Sequence, residues 1–294
     1  MATSIYSRGE SLFQIFNYVL LIIVSSLFLL PFVLVLTSSL IGEQELMTRG
    51  SFILIPRKLD FGAYRYFLRS GSIVLNAYLV TLFRIVVGTS CNLVVTAGLA
   101  YGLAKRNLPG IGVITGLIFF TMLFGGGLIP TYLVVKGTGL LNSLWALVVP
   151  SVVSTWNMFI MRNFFRQIPE SIEESAEIDG ASPFRILASI IVPLSAPSFA
   201  TIGLFYAVDH WNSWFDAAIY ITDIAKLPIQ NILRGVVIAG TQLDLTIDYD
   251  IERIPPPETM KYALIIISTV PILFVYPFIQ KYFVKGIKIG AVKG

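Results

Sequence analysis

Cysteine and histidine each occur once among 294 residues, and only 13% of the chain is charged. Each scarcity excludes a class of function. Cys91 has no partner, so neither a disulfide framework nor a thiol metal site can be built. His210 has no second histidine or cysteine to share a metal and no suitably patterned nucleophile to activate, which argues against catalysis. A Gly-x-x-x-x-Gly-Lys-Ser/Thr sequence is absent, so the chain lacks a loop that could cradle a nucleotide's phosphates. The net charge is +4, but the lysines and arginines are scattered between apolar runs, and no basic stripe exists for a nucleic acid. What is abundant is apolar surface. With 55% hydrophobic residues, the sequence describes an integral membrane protein.

A helix needs about 20 apolar residues to cross the hydrocarbon core. Six stretches qualify: 12–40, 73–103, 110–134, 143–164, 196–221 and 260–283. The fold class expected is therefore all-α, with residues 1–11 as an N-terminal tail, 12–283 as the membrane domain and 284–294 as a C-terminal tail. The first stretch is too long for the core of a signal peptide and reads as a retained anchor. Gly98 with Gly102 and Gly112 with Gly116 would let helix backbones approach closely. Gly125, Gly126 and Gly127 weaken the third span, as a local kink or as a gating hinge.

Two stretches, 41–72 and 222–259, fall on one side of the membrane, and about 165–195 falls on the other. Lys281, Lys285, Lys288 and Lys293 favour a cytoplasmic C-terminus, as do Lys105 and Arg106, whereas Arg49, Arg57, Lys58, Arg65 and Arg69 pull the opposite way. Asp244, Asp248, Asp250, Glu252 and Glu258, followed or interrupted by three prolines at 255–257, mark a water-exposed loop in which helix is broken.

The stretch between spans four and five reads EESAEIDGASPFRILASIIVPLSAP from Glu173 to Pro197. Ser171 with Glu174 fits a capping box, Gly180 suits a left-handed helix end, and Ser182–Pro183 suits the start of a second helix that ends near Pro193. The product is a helix, a glycine turn and a helix. Glu170, Glu173, Glu174 and Glu177 form a charged rim beside Ile172, Ala176 and Ile178, a composition that serves a docking knob or a helix lying on the bilayer.

This stretch resembles the EAA motif of permeases of ATP-driven (ABC-type) importers. Glu174, Ser175 and Ala176, then Gly180, Ile190, Val192 and Pro193, fall at the motif's spacings, with Ser175 and Val192 as substitutions conservative in size. The resemblance implies the type I importer permease fold. It makes residues 170–190 a cytoplasmic coupling element seated in a partner ATPase, with Glu173, Glu174, Ser175, Ala176, Asp179, Gly180, Ala181 and Pro193 as coupling residues. Both termini are then cytoplasmic, in a bacterial inner membrane, and 41–72 and 222–259 are external. The partners implied are a second homologous permease forming a heterodimer, two ATPase subunits and an extracytoplasmic carbohydrate-binding protein. ATP and magnesium would reside on the ATPases, with no cofactor on this chain.

Further stretches, LIPTYLVVKGTGLLNSLWALVVPS at 128–151, HWNSWFDAAIYI at 210–221 and the terminal GAVKG, are similar to carbohydrate-uptake permeases of the maltose type. The tail QKYFVKGIKIGAVKG looks most like the subgroup importing oligosaccharides or polysaccharide fragments, with alginate as the specific substrate implied. By the same resemblance Gly290, Ala291, Val292, Lys293 and Gly294 would contact the ATPase, and 241–259 occupies the position of an external loop that enters the binding protein.

Inside the spans, Arg84 is a functional candidate by default, with snorkelling or pairing as the alternative. Asp209, His210, Trp211, Asn212 and Trp214, with Phe215 and Asp216, mix aromatic faces with polar groups, which fits a sugar pathway or an interfacial aromatic belt. The competing reading is an ATP-independent secondary transporter, which predicts inverted repeats that the sequence does not display.

Overall fold

The structure, a computed structural model, describes residues 8–50, 53–69, 71–105, 108–238 and 255–291. Every regular element among them is helical. Three helices are long and apolar enough to cross a membrane singly: Leu12–Ser38, Ile73–Ala104 and Pro257–Val275, the last being part of a helix that runs Pro257–Ala291. Three further apolar stretches are pairs of helices bent at a short break: Ile111–Leu123 with Leu128–Gly137 at 110°, Leu144–Ser151 with Thr155–Phe165 at 54°, and Pro183–Leu194 with Ala196–Asn212 at 87°. Counted as one span each, the bent pairs bring the apolar crossings to the expected six, although the last pair takes in Pro183–Leu194, which precedes the expected span 196–221.

The third crossing breaks where the glycines stand. Phe124 leaves helical geometry, and Gly127 takes φ of +85°, which a side chain would resist. In the fourth, a 3-10 segment precedes the α-helix, whose entry is capped by Ser154 accepting from the Asn157 amide. Expected span five runs on as Ala196–Asn212, stops at Ser213–Trp214 and resumes as Phe215–Tyr220.

By contact the chain divides into two units. One comprises residues 1–69 with 236–270, the other 70–235 with 271–294. In the first, the helix Arg8–Ser38 is exposed over most of the span from Leu12, whose most apolar 18-residue stretch has no buried residue. The stretch expected as the 41–72 loop contains short helices at Glu43–Arg49 and Gly62–Leu68, with Ala63 and Phe67 buried. Thr259 ties the last helix to this region by donating to the Ile41 carbonyl at 3.1 Å. The Glu45 carboxylate accepts from the Arg57 and Lys58 amides and from Arg49. The backbone bond from Arg57, then those from Arg49 and Lys58, hold its pKa below the ordinary 4.5.

The larger unit is centred on the span Ile73–Ala104, packed against Thr155–Phe165 and Ala196–Asn212. Its core joins Ala97, Ala100, Tyr101 and Leu103 to Met158, Met161, Phe165, Ile202 and Tyr206. The residues Gly98, Gly102, Gly112 and Gly116 do not supply the close approach expected of them, since a Cβ added at any would meet nothing within 4 Å. That role falls to Gly88, where a Cβ would stand 2.6 Å from His210 Nε2.

Two further expectations change. Pro257 opens the last helix instead of ending one, because its missing N–H is not needed in a first turn. The stretch expected as the 222–259 loop contains an amphipathic helix, Ile229–Ile238, seated by Ile229 and Ile232. The acidic run 239–254 lies outside the described residues, as do Val292, Lys293 and Gly294. Gly290 and Ala291 fall in the final helix.

Candidate functional site

The helix, turn and helix between spans four and five forms as Glu170–Ile178, a turn at Asp179–Ser182, and Pro183–Leu194. The expected capping box does not form. The first helix already begins at Glu170 behind Pro169, whose ring offers no oxygen to cap with, and Ser171 lies inside it with its carbonyl taken by Ser175 Oγ at 2.8 Å. Glu170 and Glu173 instead face the helix N-terminus with negative charge. At the other end Gly180 adopts φ of +77°, and the Ala181 amide reaches back to the Ala176 carbonyl at 2.9 Å. Ser182 then caps the second helix by accepting from the Arg185 amide, with Pro183 in the first position. Residues 187–191 form a π turn ahead of Pro193, and the helix ends at Ser195.

The hairpin is anchored on one face and open on the other. Ala176, Ile186 and Ile191 enter the core beside Met161 and Phe165. Glu173, expected on the charged rim, turns inward: its carboxylate accepts from Tyr101 Oη at 2.9 Å and pairs with Lys105 at the end of the second span. Glu174, Ser175, Asp179, Gly180 and Pro193 are exposed, and Ala181 is half-buried. Beside them stand Ile178 at 87% and Phe184 at 79% exposure. Phe184 was not singled out in the sequence, though an aromatic two residues after a helix cap is the signal that could have found it. A rigid element that presents large apolar side chains within a polar rim has the make-up of a protein contact.

Deeper in this unit, Arg84 proves to be buried and paired. Its guanidinium takes both carboxylate oxygens of Asp216, and its Nε donates to His210 Nδ1 at 3.2 Å. Because arginine cannot accept, Nδ1 must be the acceptor, and the ring proton sits on Nε2, which donates to Asn92 Oδ1 at 2.7 Å. The Asn92 amide in turn donates to the Ser151 and Val152 carbonyls, each at 2.8 Å, where the fourth crossing bends. This chain of bonds satisfies the backbone freed at one break and, through Ser213 and Asp216, fixes the break in the next. Asn92 was not read as a site residue, and Asp216 was read with the sugar pathway instead of with Arg84. Arg84 and Asp216 are each a charge in an apolar context, and the need of such charges to pair was the available signal.

The expected pathway residues separate. His210 and Trp211 are buried, and His210 is spent on the Arg84–Asn92 bridge. Asn212 is exposed at the helix end. Trp214 carries the Arg234 guanidinium on its ring face, 3.6 Å from the centroid. Asp209 alone lines a cleft of 420 Å³, with Ser151, Val153, Ser154, Trp156, Asn157, Phe205 and Tyr206. Such a mixture of hydroxyl, amide, carboxylate and aromatic groups can hold a polyhydroxylated solute. Among the described residues no cluster of histidine, cysteine, aspartate or glutamate could hold a metal.

Bent apolar crossings around a buried polar network, with a rigid hairpin between two of them, define a membrane permease. The chain belongs to the family described as the binding-protein-dependent transport system inner membrane component, whose model matches residues 2–289. It is 44% identical over 285 residues to the polygalacturonan/rhamnogalacturonan transport system permease protein YtcP of Bacillus subtilis (strain 168), covering 96% of this chain and 99% of that one. Protein LplC of the same strain is 44% identical, with 98% and 97% covered. Among solved structures, a bacterial ABC transporter involved in the import of the acidic polysaccharide alginate superposes with a TM-score of 0.83 at 32% identity, covering 96% of this chain and 100% of that chain. The chain is therefore a non-catalytic permease subunit of an ABC transporter, and ATP hydrolysis belongs to a separate subunit.

Proposed function

We propose that this chain forms one half of the translocation pathway of an oligosaccharide importer and that its substrate is a fragment of an acidic polysaccharide such as alginate or a galacturonan. Support for the substrate comes from two relatives, one a permease for polygalacturonan and rhamnogalacturonan, the other an alginate importer. A second permease subunit completes the pathway, two ATPase subunits carry ATP and magnesium, and a binding protein delivers the sugar from outside. Both termini face the cytoplasm, which puts the hairpin on the side where ATP is available.

The observation that carries the coupling role is the hairpin's two-sidedness. Ile178 and Phe184 stand exposed at the turn, while Ala176, Ile186 and Ile191 are locked into the core of the spans. A force applied at the tip is thus delivered to the helices that carry the cleft and the Arg84 network. On this reading, closure of the ATPases drives the permease between inward-facing and outward-facing states.

The test is Gly180→Val in the complete complex in proteoliposomes. A branched side chain at φ of +77° must rearrange the turn. Binding-protein-dependent uptake should fall at least tenfold while ATP hydrolysis persists. Unchanged uptake in a properly assembled complex would count decisively against the coupling role.

A further inference from the structure

Arg234 stands on the amphipathic helix Ile229–Ile238 and is exposed, with its guanidinium stacked 3.6 Å from the centre of the Trp214 ring. It has no acidic partner among the described residues. The carboxylate nearest in sequence to Trp214, Asp216, gives both oxygens to Arg84, and Asp223 is paired with Lys226 at 3.5 Å. A guanidinium held by its face against an aromatic ring is oriented without spending its N–H donors, which remain around its edge in a planar fork. Asn231, one helical turn earlier, fixes the support: its Nδ2 donates to the Trp214 carbonyl at 2.9 Å, while its Oδ1 has no partner among the described residues. Phe215, 52% exposed and edge-on to Trp214 at 5.4 Å, adds apolar surface beside the cation.

We infer that Arg234, supported by Trp214, is a receptor for the carboxylate of a uronate residue in the transported sugar. This deepens the acidic-oligosaccharide reading above and rests on it. A carboxylate is planar and accepts two parallel hydrogen bonds from such a fork, a charge-assisted contact worth more than one between neutral groups. The C–H face of the sugar ring lies against Phe215. A neutral hexose offers the fork no such group, so the site discriminates by charge.

The test is isothermal titration calorimetry on the intact transporter complex with three probes: trigalacturonate, its fully methyl-esterified form, and maltotriose. Wild type should bind the acid at least tenfold more tightly than the ester. R234Q should erase that preference while keeping the ester's affinity, and R234K, which retains charge but not the fork, should keep part of it. An acid-over-ester ratio unchanged in R234Q or R234K overturns the inference. Equal binding of acid and ester by wild type also overturns it but leaves the oligosaccharide reading standing, whereas no binding of any probe removes both.

Discussion

Two polar assemblies in this chain solve opposite problems. In the Arg84–Asp216–His210–Asn92 network all but the half-buried Asp216 are buried, and each member is satisfied by another or by backbone carbonyls released at a bend. The hairpin at 170–194 does the reverse, exposing Glu174 and Asp179 together with Ile178 and Phe184. In an apolar medium a polar group is tolerated when it closes on itself; in water it is left open when something else is to close on it. The difference separates groups that hold the bundle from groups that address a partner.

The sharpest way to break this contrast is to remove one member of the closed set. Arg84→Ala strands the Asp216 carboxylate and should cost about 3–5 kcal/mol, read as a large drop in the thermal unfolding temperature of the complex. Replacing both partners by Met and Leu should cost much less. If the single variant is as stable as wild type, the network is not what secures the breaks. Next in size is Gly88→Ala, which forces a methyl toward the imidazole and should cost about 1–3 kcal/mol by the same measurement. The contrast can be sharpened at the hairpin, where Glu173 belongs to the closed kind. Glu173→Gln should lose about 1 kcal/mol, and a Lys105→Glu, Glu173→Lys exchange should recover part of it. Recovery would be absent were Glu173 a partner-facing residue.

The smallest effect lies at Glu45. Since its folded pKa is lowered, its contribution is present in full above the ordinary value of 4.5 and is lost as pH falls through the folded value beneath it. Amide exchange at Arg57 and Lys58, normalised for its intrinsic pH dependence, should accelerate across that window in wild type and show no such step in Glu45→Gln.

Periodicity and turn chemistry carried the parts of the fold that are local. Gly180 and Ser182 are legible because a left-handed turn and a cap are decided within a few residues. Apolar length located the crossings, but not which are straight, since length says nothing of how backbone groups at a bend are satisfied. The pairing of Arg84 with Asp216 spans 132 positions and leaves no local pattern. Glu173 was misread for a related reason: its partners Tyr101 and Lys105 come from another span. The Ile229–Ile238 helix was hidden because it is too short to cross and stands beside an acidic stretch that reads as loop.

In the second span Arg84, Gly88, Asn92, Thr96 and Ala100 are all buried, at a spacing of four that an α-helix of 3.6 residues per turn cannot keep on one meridian. The π turn at Arg84–Gly88 absorbs the surplus residue. It is a stored rotation: were that turn to tighten to α geometry, residues 89–104 would swivel by about 100° about the span's own axis while residues 73–83 stood still.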